Sequence, residues 1–319
     1  MKDSGVSVRC LRKGEDRLWR NCSFGATTYG EMDGTAFTND PSFRPEAHLV
    51  AERNGRIVGK MESIIVEPHE AVLVDPIVVP NECVEEVARA LLLEGLRIAR
   101  KFNVREIQVL LQDRLPYLST LLQKMEGWDF HPLWQKNLYS VKAESLCPPS
   151  DFPQIMELEW VPFKGPENQT FLRTLQLILQ HAPLSRSDQG TDAFTLLEYC
   201  IYRCRADGNF YPEDWEMGML VHPETATMDV QKREPIGIVM PAFLNAGRHF
   251  GGNLYIGVVP AARGRGLGKI LQYRGLQTMV KRGAIKFLGS TDSLNLPMIK
   301  IFESLNYQLE GIEQYFQPV

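Results

Sequence analysis

Nothing in this chain reads as a metal knot, a membrane span or a nucleic-acid coat. Its six cysteines, Cys10, Cys22, Cys83, Cys147, Cys200 and Cys204, form no C-x-x-C pair and have no histidine at zinc-site spacing. A disulfide framework or a structural metal is therefore not expected. No apolar run approaches the roughly 18 residues of a membrane helix. The opening M-K-D-S-G-V-S-V-R-C also lacks the apolar centre of a secretory signal. Charge of one sign is missing as well: 35 Lys and Arg against 39 Asp and Glu leave a net charge of -4, too little positive field for nucleic acid except through a local patch. These absences lead to the expectation of a cytoplasmic protein with reduced thiols, no metal, no membrane and no nucleic-acid partner.

What is present is ordinary globular material, 44% apolar and 23% charged over 319 residues, enough for two domains. In H-L-V-A-E-R-N-G-R-I-V-G-K-M-E-S-I-I-V, residues 48 to 66, two β-rich runs flank Asn54-Gly55, a hairpin signal. A third run at 71 to 80 leads into a helix whose apolar residues Val84, Val87, Leu91 and Leu92 keep helical spacing. A strand at 104 to 111, a short helix over Leu115–Met125 and a strand-rich tail complete this half. Residues 146 to 153, L-C-P-P-S-D-F-P, hold three prolines and cannot continue a helix, so they mark the boundary between domains 1–146 and 147–319.

Beyond that boundary the order recurs. Helices over 168 to 182 and around Cys200 and Cys204 come first; those two cysteines share one helix face and read as buried apolar residues. Strands at 217 to 221, 235 to 244 and 253 to 260 follow, then a helix to about Val280, a strand, a helix from Pro297 and a strand-like tail. I-V-V-P at 77 to 80 matches G-V-V-P at 257 to 260, and Lys101 matches Lys281, at the same spacing of 180 residues. Such self-similarity points to a duplicated domain. The copies differ in one place: where the second has A-A-R-G-R-G-L-G-K, the first has N-E-C-V-E-E-V-A-R, with Glu82, Glu85 and Glu86 and no glycine.

The glycine-rich loop between a strand and a helix leaves backbone N–H groups unpaired at the positive end of a helix dipole, so it asks for an anion. Arg263, Arg265 and Lys269 add local positive charge, and the carboxylates of the first copy should repel the same ligand. A Walker loop fails because Arg263 stands where its first glycine belongs and Ile270 replaces Ser or Thr. The dinucleotide fingerprint fails because its third glycine would be Lys269.

R-x-x-G-x-G fits, as Arg263, Gly266 and Gly268. With it the segment resembles the pyrophosphate loop of the GCN5-related N-acetyltransferase family, of form [QR]-x-x-G-x-[GA]. N-L-P-M-I-K-I-F-E-S-L-N-Y at 295 to 307 is similar to that family's N-x-x-A-x-x-L-Y-x-K-x-G-F, and all of 151–319 can be laid on its fold. The resemblance implies an α/β (α+β) chain of two tandem GNAT-like domains, each a mixed, mostly antiparallel sheet flanked by helices. The first would be degenerate and the second would bind acetyl-CoA. The diphosphate would sit on Arg263, Gly264, Arg265, Gly266, Leu267, Gly268 and Lys269, and the pantetheine arm near Val258 and Val259. Asn295 and Phe302 would complete the cofactor site; Asn295 also reads as a helix N-cap.

The family lends a Glu to deprotonate the acceptor amine and a Tyr to protonate the thiolate. This sequence departs at both, with Phe302 at the Tyr position and Gly252-Asn253 near the Glu position. Substitutes are Asp214 and Glu216, in D-G-N-F-Y-P-E-D-W-E, where Phe210, Tyr211 and Trp215 could cage a cationic amine, and Tyr255 as an acid. His222 and His249 are weaker candidates for a base. The implied activity is acetyl transfer to a primary amine in a ternary complex; the alternative is an acyl-CoA sensor without turnover. The acceptor, a small molecule or a peptide, is not named by these residues.

Overall fold

A computed structural model describes residues 5–15, 19, 44–66, 70–80, 82–112, 122, 130–146, 158–182, 184–185, 190–206, 211–221, 234–244 and 249–318. The helix expected over Leu115–Met125, apart from Leu122, lies outside these residues, as do Cys147 to Pro153, Cys22, Phe210 and His222. In chain order the elements are β1 (Val6–Cys10), β2 (His48–Arg53), β3 (Arg56–Val66), β4 (Glu70–Val74), β5 (Ile77–Val78), α1 (Val84–Ala99), β6 (Glu106–Gln112) and β7 (Phe130–Lys142). Then come β8 (Leu158–Pro162), α2 (Gln169–Gln180), α3 (Ala193–Ala206), β9 (Glu216–Leu220), β10 (Pro235–Phe243) and β11 (Phe250–Val258). The last are α4 (Leu267–Lys281), β12 (Lys286–Asp292), α5 (Leu296–Ser304) and β13 (Gln308–Pro318).

Two compact units result. Of the described residues, the first contains those up to Gln135 together with those from Gly311 on. Its strands run β1-β2-β3-β4-β6-β13, with β5 beside β3, and only the β4–β6 pair is parallel. Asn54 (φ 51°) and Gly55 (φ 73°) are both left-handed, the conformation a tight β2–β3 hairpin requires. The apolar stripe of α1, Val87, Leu91, Leu92 and Leu96, is fully buried on the sheet, each side chain worth about 1.5–3 kcal/mol of burial.

The second unit is Lys136–Glu310, with strand order β7-β12-β11-β10-β9-β8. One face of its sheet carries α2 and α3, through Phe171, Leu175, Ile178 and Leu197 and the buried free thiols of Cys200 and Cys204. Asn168 starts α2 by accepting the N–H of Phe171 at 3.2 Å. A further cluster gathers Leu276 and Met279 of α4, Phe302 of α5, Phe287 of β12 and Tyr139 of β7.

The sequence leads one to expect contiguous halves, but the units exchange strands. β13 pairs with β6 of the first unit, Glu313↔Gln112 through Phe316↔Val109. β7 pairs with β12 of the second, Lys136↔Asp292 through Lys142↔Lys286. The cores explain the exchange: Phe316 is buried with Val109 and Leu111, while Tyr139 and Val141 are buried with Phe287. Among the described residues no helix is long and apolar enough to cross a membrane.

Candidate functional site

The site begins where two parallel strands separate. β11 and β12 pair only at Phe250↔Lys286 and Gly251↔Phe287. The N–H of Val259 donates to the carbonyl of Ile236 at 3.0 Å. Strand alternation therefore turns the N–H and C=O of Ile256 and Val258 away from β10, to the side that β12 has left. The β10–β11 register also slips between Met240 and Pro241, leaving Leu254 as the extra residue of a bulge.

Past Val258 the chain makes a single turn, Pro260–Ala262, and enters the glycine loop. Gly264 (φ 75°) and Gly266 (φ 74°) are left-handed, and a side chain at either would begin in open space, with nothing within 4 Å. Gly266 is the N-cap of α4 and offers no side-chain cap. The first-turn N–H groups thus have no carbonyl upstream to receive them, apart from Lys269, which bonds Gly266 O at 3.1 Å. This open cradle at a helix N-terminus fits an anion. Leu267 is buried and anchors the loop. Gly268 is instead a packing residue, since its Cβ would stand 2.9 Å from Ile301 Cδ1. Arg265 is exposed and Lys269 half-buried.

The remaining expected cofactor residues fall in several places. Val259 is buried. Arg263 donates from Nε to Val258 O at 3.1 Å and from Nη1 to His181 O at 2.5 Å, tying the loop to the end of α2. Asn295 caps α5, accepting the N–H of Met298 at 3.3 Å. Phe302 is 2% exposed, stacked on Tyr139 at 4.9 Å and tilted against Tyr307 at 4.8 Å, so its place is in the core.

The carboxylates nominated for proton transfer are otherwise occupied. Both oxygens of Glu216 accept from Arg274, at 2.7 and 2.8 Å, and that guanidinium lies 5.0 Å over Trp160. Asp214 accepts from Arg282 at 2.8 and 3.0 Å, Glu213 takes a further bond at 2.9 Å, and the guanidinium covers Tyr211 at 4.4 Å. The carboxylates, Glu216 and Asp214 first, raise the pKa of both arginines and so hold them charged. Of the cage expected for a cationic amine, Tyr211 is thus covered by Arg282 of the α4 end and Phe210 lies outside the described residues, while Glu216 and Asp214 are engaged in anchoring that helix. Trp215 is core, donating from Nε1 to Pro241 O at 3.1 Å. Tyr255 packs half-buried on the α2 side of β11. The carbonyl of His249 receives the N–H groups of Ile285 and Lys286, joining β11 to β12.

Two groupings escaped the sequence. Asn253 donates to Gln272 Oε1 at 2.8 Å, and Gln272 donates to the hydroxyl of Tyr307 at 3.2 Å, locking α4 over β11. Burial pushes the Tyr307 phenol well above its ordinary range. The other is an open pocket of about 720 Å³ where α2, the start of α3 and the loop meet, lined by Gln176, Gln180, His181, Thr191, Asp192 and Arg263 among others. Gln176 Oε1 accepts the N–H of Ala193 at 2.9 Å. Asp192 accepts the N–H groups of Phe194 and Thr195, both at 3.0 Å, and the Thr195 hydroxyl at 2.7 Å. The hydroxyl first, then those N–H groups, hold its carboxyl below the usual range. His181 Nδ1 lies 3.1 Å from Leu177 O. Only the D-A-F-T helix start hinted at this pocket in the sequence.

The first unit has the same approach but a different end. Val79 donates to Val58 O at 2.9 Å, as Val259 does to Ile236. At the start of α1, however, Glu82 and Glu86 each bond Arg53 at 2.5 Å. The chain's own ion pairs stand where the second unit has open glycines.

Residues 192–307 match the model of the Acetyltransferase (GNAT) family. A tandem GNAT protein from the clavulanic acid biosynthesis pathway superposes with a TM-score of 0.64 at 15% identity, over 98% of this chain and 97% of that one. A GCN5-related N-acetyltransferase from Sphaerobacter thermophilus gives 0.63 at 13%, over 99% and 96%. A GCN5-related glucosamine N-acetyltransferase region of a fungal multi-domain GH3 beta-N-acetylglucosaminidase gives 0.60 at 13%, over 98% of this chain and 38% of that one. At these identities the likeness establishes the fold. No curated protein is similar to the chain in sequence.

Proposed function

We propose that this chain, whose residues 192–307 match the Acetyltransferase (GNAT) family model, is an acyltransferase whose second unit moves an acetyl group from acetyl-CoA to the primary amine of an acceptor, with both substrates bound together. The observation that carries the reading is the pair of left-handed glycines, Gly264 and Gly266, opening α4 onto empty space beside the unpaired edge of β11. The loop N–H groups, with Arg265 and Lys269, supply the charge a diphosphate needs. Ile256 supplies its backbone N–H and C=O, and Val258 its N–H, for an amide-bearing arm, the Val258 carbonyl being held by Arg263.

In the transfer the amine nitrogen forms a bond to the thioester carbonyl carbon, loses a proton, and the C–S bond breaks to a thiolate that is then protonated. The chain's part is to bind, to orient and to place proton carriers. With Glu216 and Asp214 held by arginines and Phe302 unable to donate, Tyr255 on β11 is the side chain retained as acid toward the thiolate. Tyr255→Phe should lower kcat on the order of 100-fold and leave acetyl-CoA affinity unchanged, measured by thiol release and calorimetry. A kcat within two-fold of the parent would remove Tyr255 from the chemistry.

The reading itself is tested by titrating the full chain with acetyl-CoA. Gly266→Glu puts bulk and negative charge in the cradle and should abolish binding. Unchanged affinity in that variant would move the site elsewhere.

A further inference from the structure

The pocket beside the loop is built by side-chain bonds from α2, the start of α3 and the loop. Gln176 fixes the first N–H of α3, Asp192 caps it, and Arg263 reaches across to the last carbonyl of α2. Each polar residue has capacity left over. Two of the five N–H groups of Arg263 are bonded to carbonyls. The other three have no partner among the described residues. Asp192 uses one oxygen for two N–H groups and the other for a hydroxyl, which leaves lone pairs on a carboxylate that stays ionised. The side chains of Gln180 and Thr191, which also line the pocket, make no hydrogen bond among the described residues. The cavity therefore holds a fixed cation on the loop side and a fixed anion at the start of α3, with neutral polar groups between them.

Building on the acetyltransferase reading, we infer that this pocket seats the acceptor and selects one bearing both an amine and a carboxylate, of the free amino-acid class. The acceptor's carboxylate meets the remaining N–H groups of Arg263, on Nη1 and Nη2. Its ammonium end meets the carboxylate of Asp192. A plain alkylamine leaves the guanidinium without a partner, and a plain acid leaves the carboxylate without one; both lose affinity.

The test uses the full chain saturated with CoA, and calorimetry with paired probes that differ only by the carboxylate: L-lysine and cadaverine, L-ornithine and putrescine, L-alanine and ethylamine. In at least one pair the amino acid should bind ten-fold or more tightly than its decarboxylated partner. Asp192→Asn keeps the helix cap, since Asn caps as well as Asp. It should weaken that amino acid about ten-fold, with acetyl-CoA affinity and the thermal midpoint unchanged. Equal or tighter binding of every alkylamine, binding of none of the probes, or indifference to Asp192→Asn would overturn the inference while the transferase reading stands. Loss of acetyl-CoA affinity in Asp192→Asn would also overturn it, by giving the pocket to the cofactor. Amino-acid binding in a chain that takes up no acetyl-CoA would overturn the transferase reading and leave the pocket assignment standing.

Discussion

A side chain at position 275 would place its first carbon 2.0 Å from Asn253 Oδ1 and 2.8 Å from Val239 Cγ2, so α4 lies this close to β11 only because Gly275 has no Cβ. In α1 the equivalent is Gly95, 180 residues earlier, whose Cβ would meet Met61 Cε at 2.4 Å. The two approaches differ in what can give way. A methionine tip swings aside, whereas Asn253 is held by Gln272 in a buried polar chain. Gly275→Ala should therefore cost about 1–3 kcal/mol of overpacking, read as a lower urea midpoint, and Gly95→Ala should cost less. A larger loss at Gly95 would mean that the Met61 tip is not the soft partner. The loop glycines were legible because their spacing forms a motif with a chemical purpose. Gly275 was not, because a lone glycine inside a helix pattern signals only weakened propensity, and its reason lies on another strand.

Elements were legible wherever period and punctuation agreed. Asn54-Gly55 gave the β2–β3 hairpin, the apolar spacing gave α1 and α2, and the strand before Pro260 gave β11. β1 and β8 are edge strands of only five residues, too short to stand out even where, as in V-S-V-R-C, the residues alternate. Partner choice was hidden altogether: the alternation of a strand states which face is apolar and not which sheet it joins. The last strand, β13, is the clearest case, since its residues 313–316 complete the sheet of the first unit from the far end of the chain. Phe316 is 4% exposed in that unit's core, and Phe316→Ala should cost about 3–5 kcal/mol. The loss should appear as faster amide exchange in β6 and α1, with acetyl-CoA affinity in the second unit preserved. Faster exchange confined to α4 and β11 would contradict the exchange of strands.

At the scale of the whole molecule, one fold is used twice and only one copy is open. The duplication goes deeper than the V-V-P match. Gly59 and Gly237 both lie against the strand that precedes the loop, their Cβ positions 3.0 Å from Ile77 O and 2.2 Å from Gly257 O, with Ile77 and Gly257 again 180 residues apart. The copies diverge where chemistry is needed: Leu73 faces Gly95 in the first, and Asn253 faces Gly275 in the second. The sequence argued that Glu82, Glu85 and Glu86 would repel an anion; Arg53 adds that two of them are already neutralised, so charge repulsion alone does not close the first copy. The chain should bind one acetyl-CoA, and Arg53→Ala tests whether Arg53 itself closes the first copy. Freed from Arg53, Glu82 and Glu86 face the N-terminus of α1 as bare carboxylates, favourable to the helix dipole and hostile to a diphosphate. That variant should still titrate with one equivalent, at an affinity equal to the parent. A second equivalent would mean that Arg53 itself, and not the missing glycines, had kept the first copy closed.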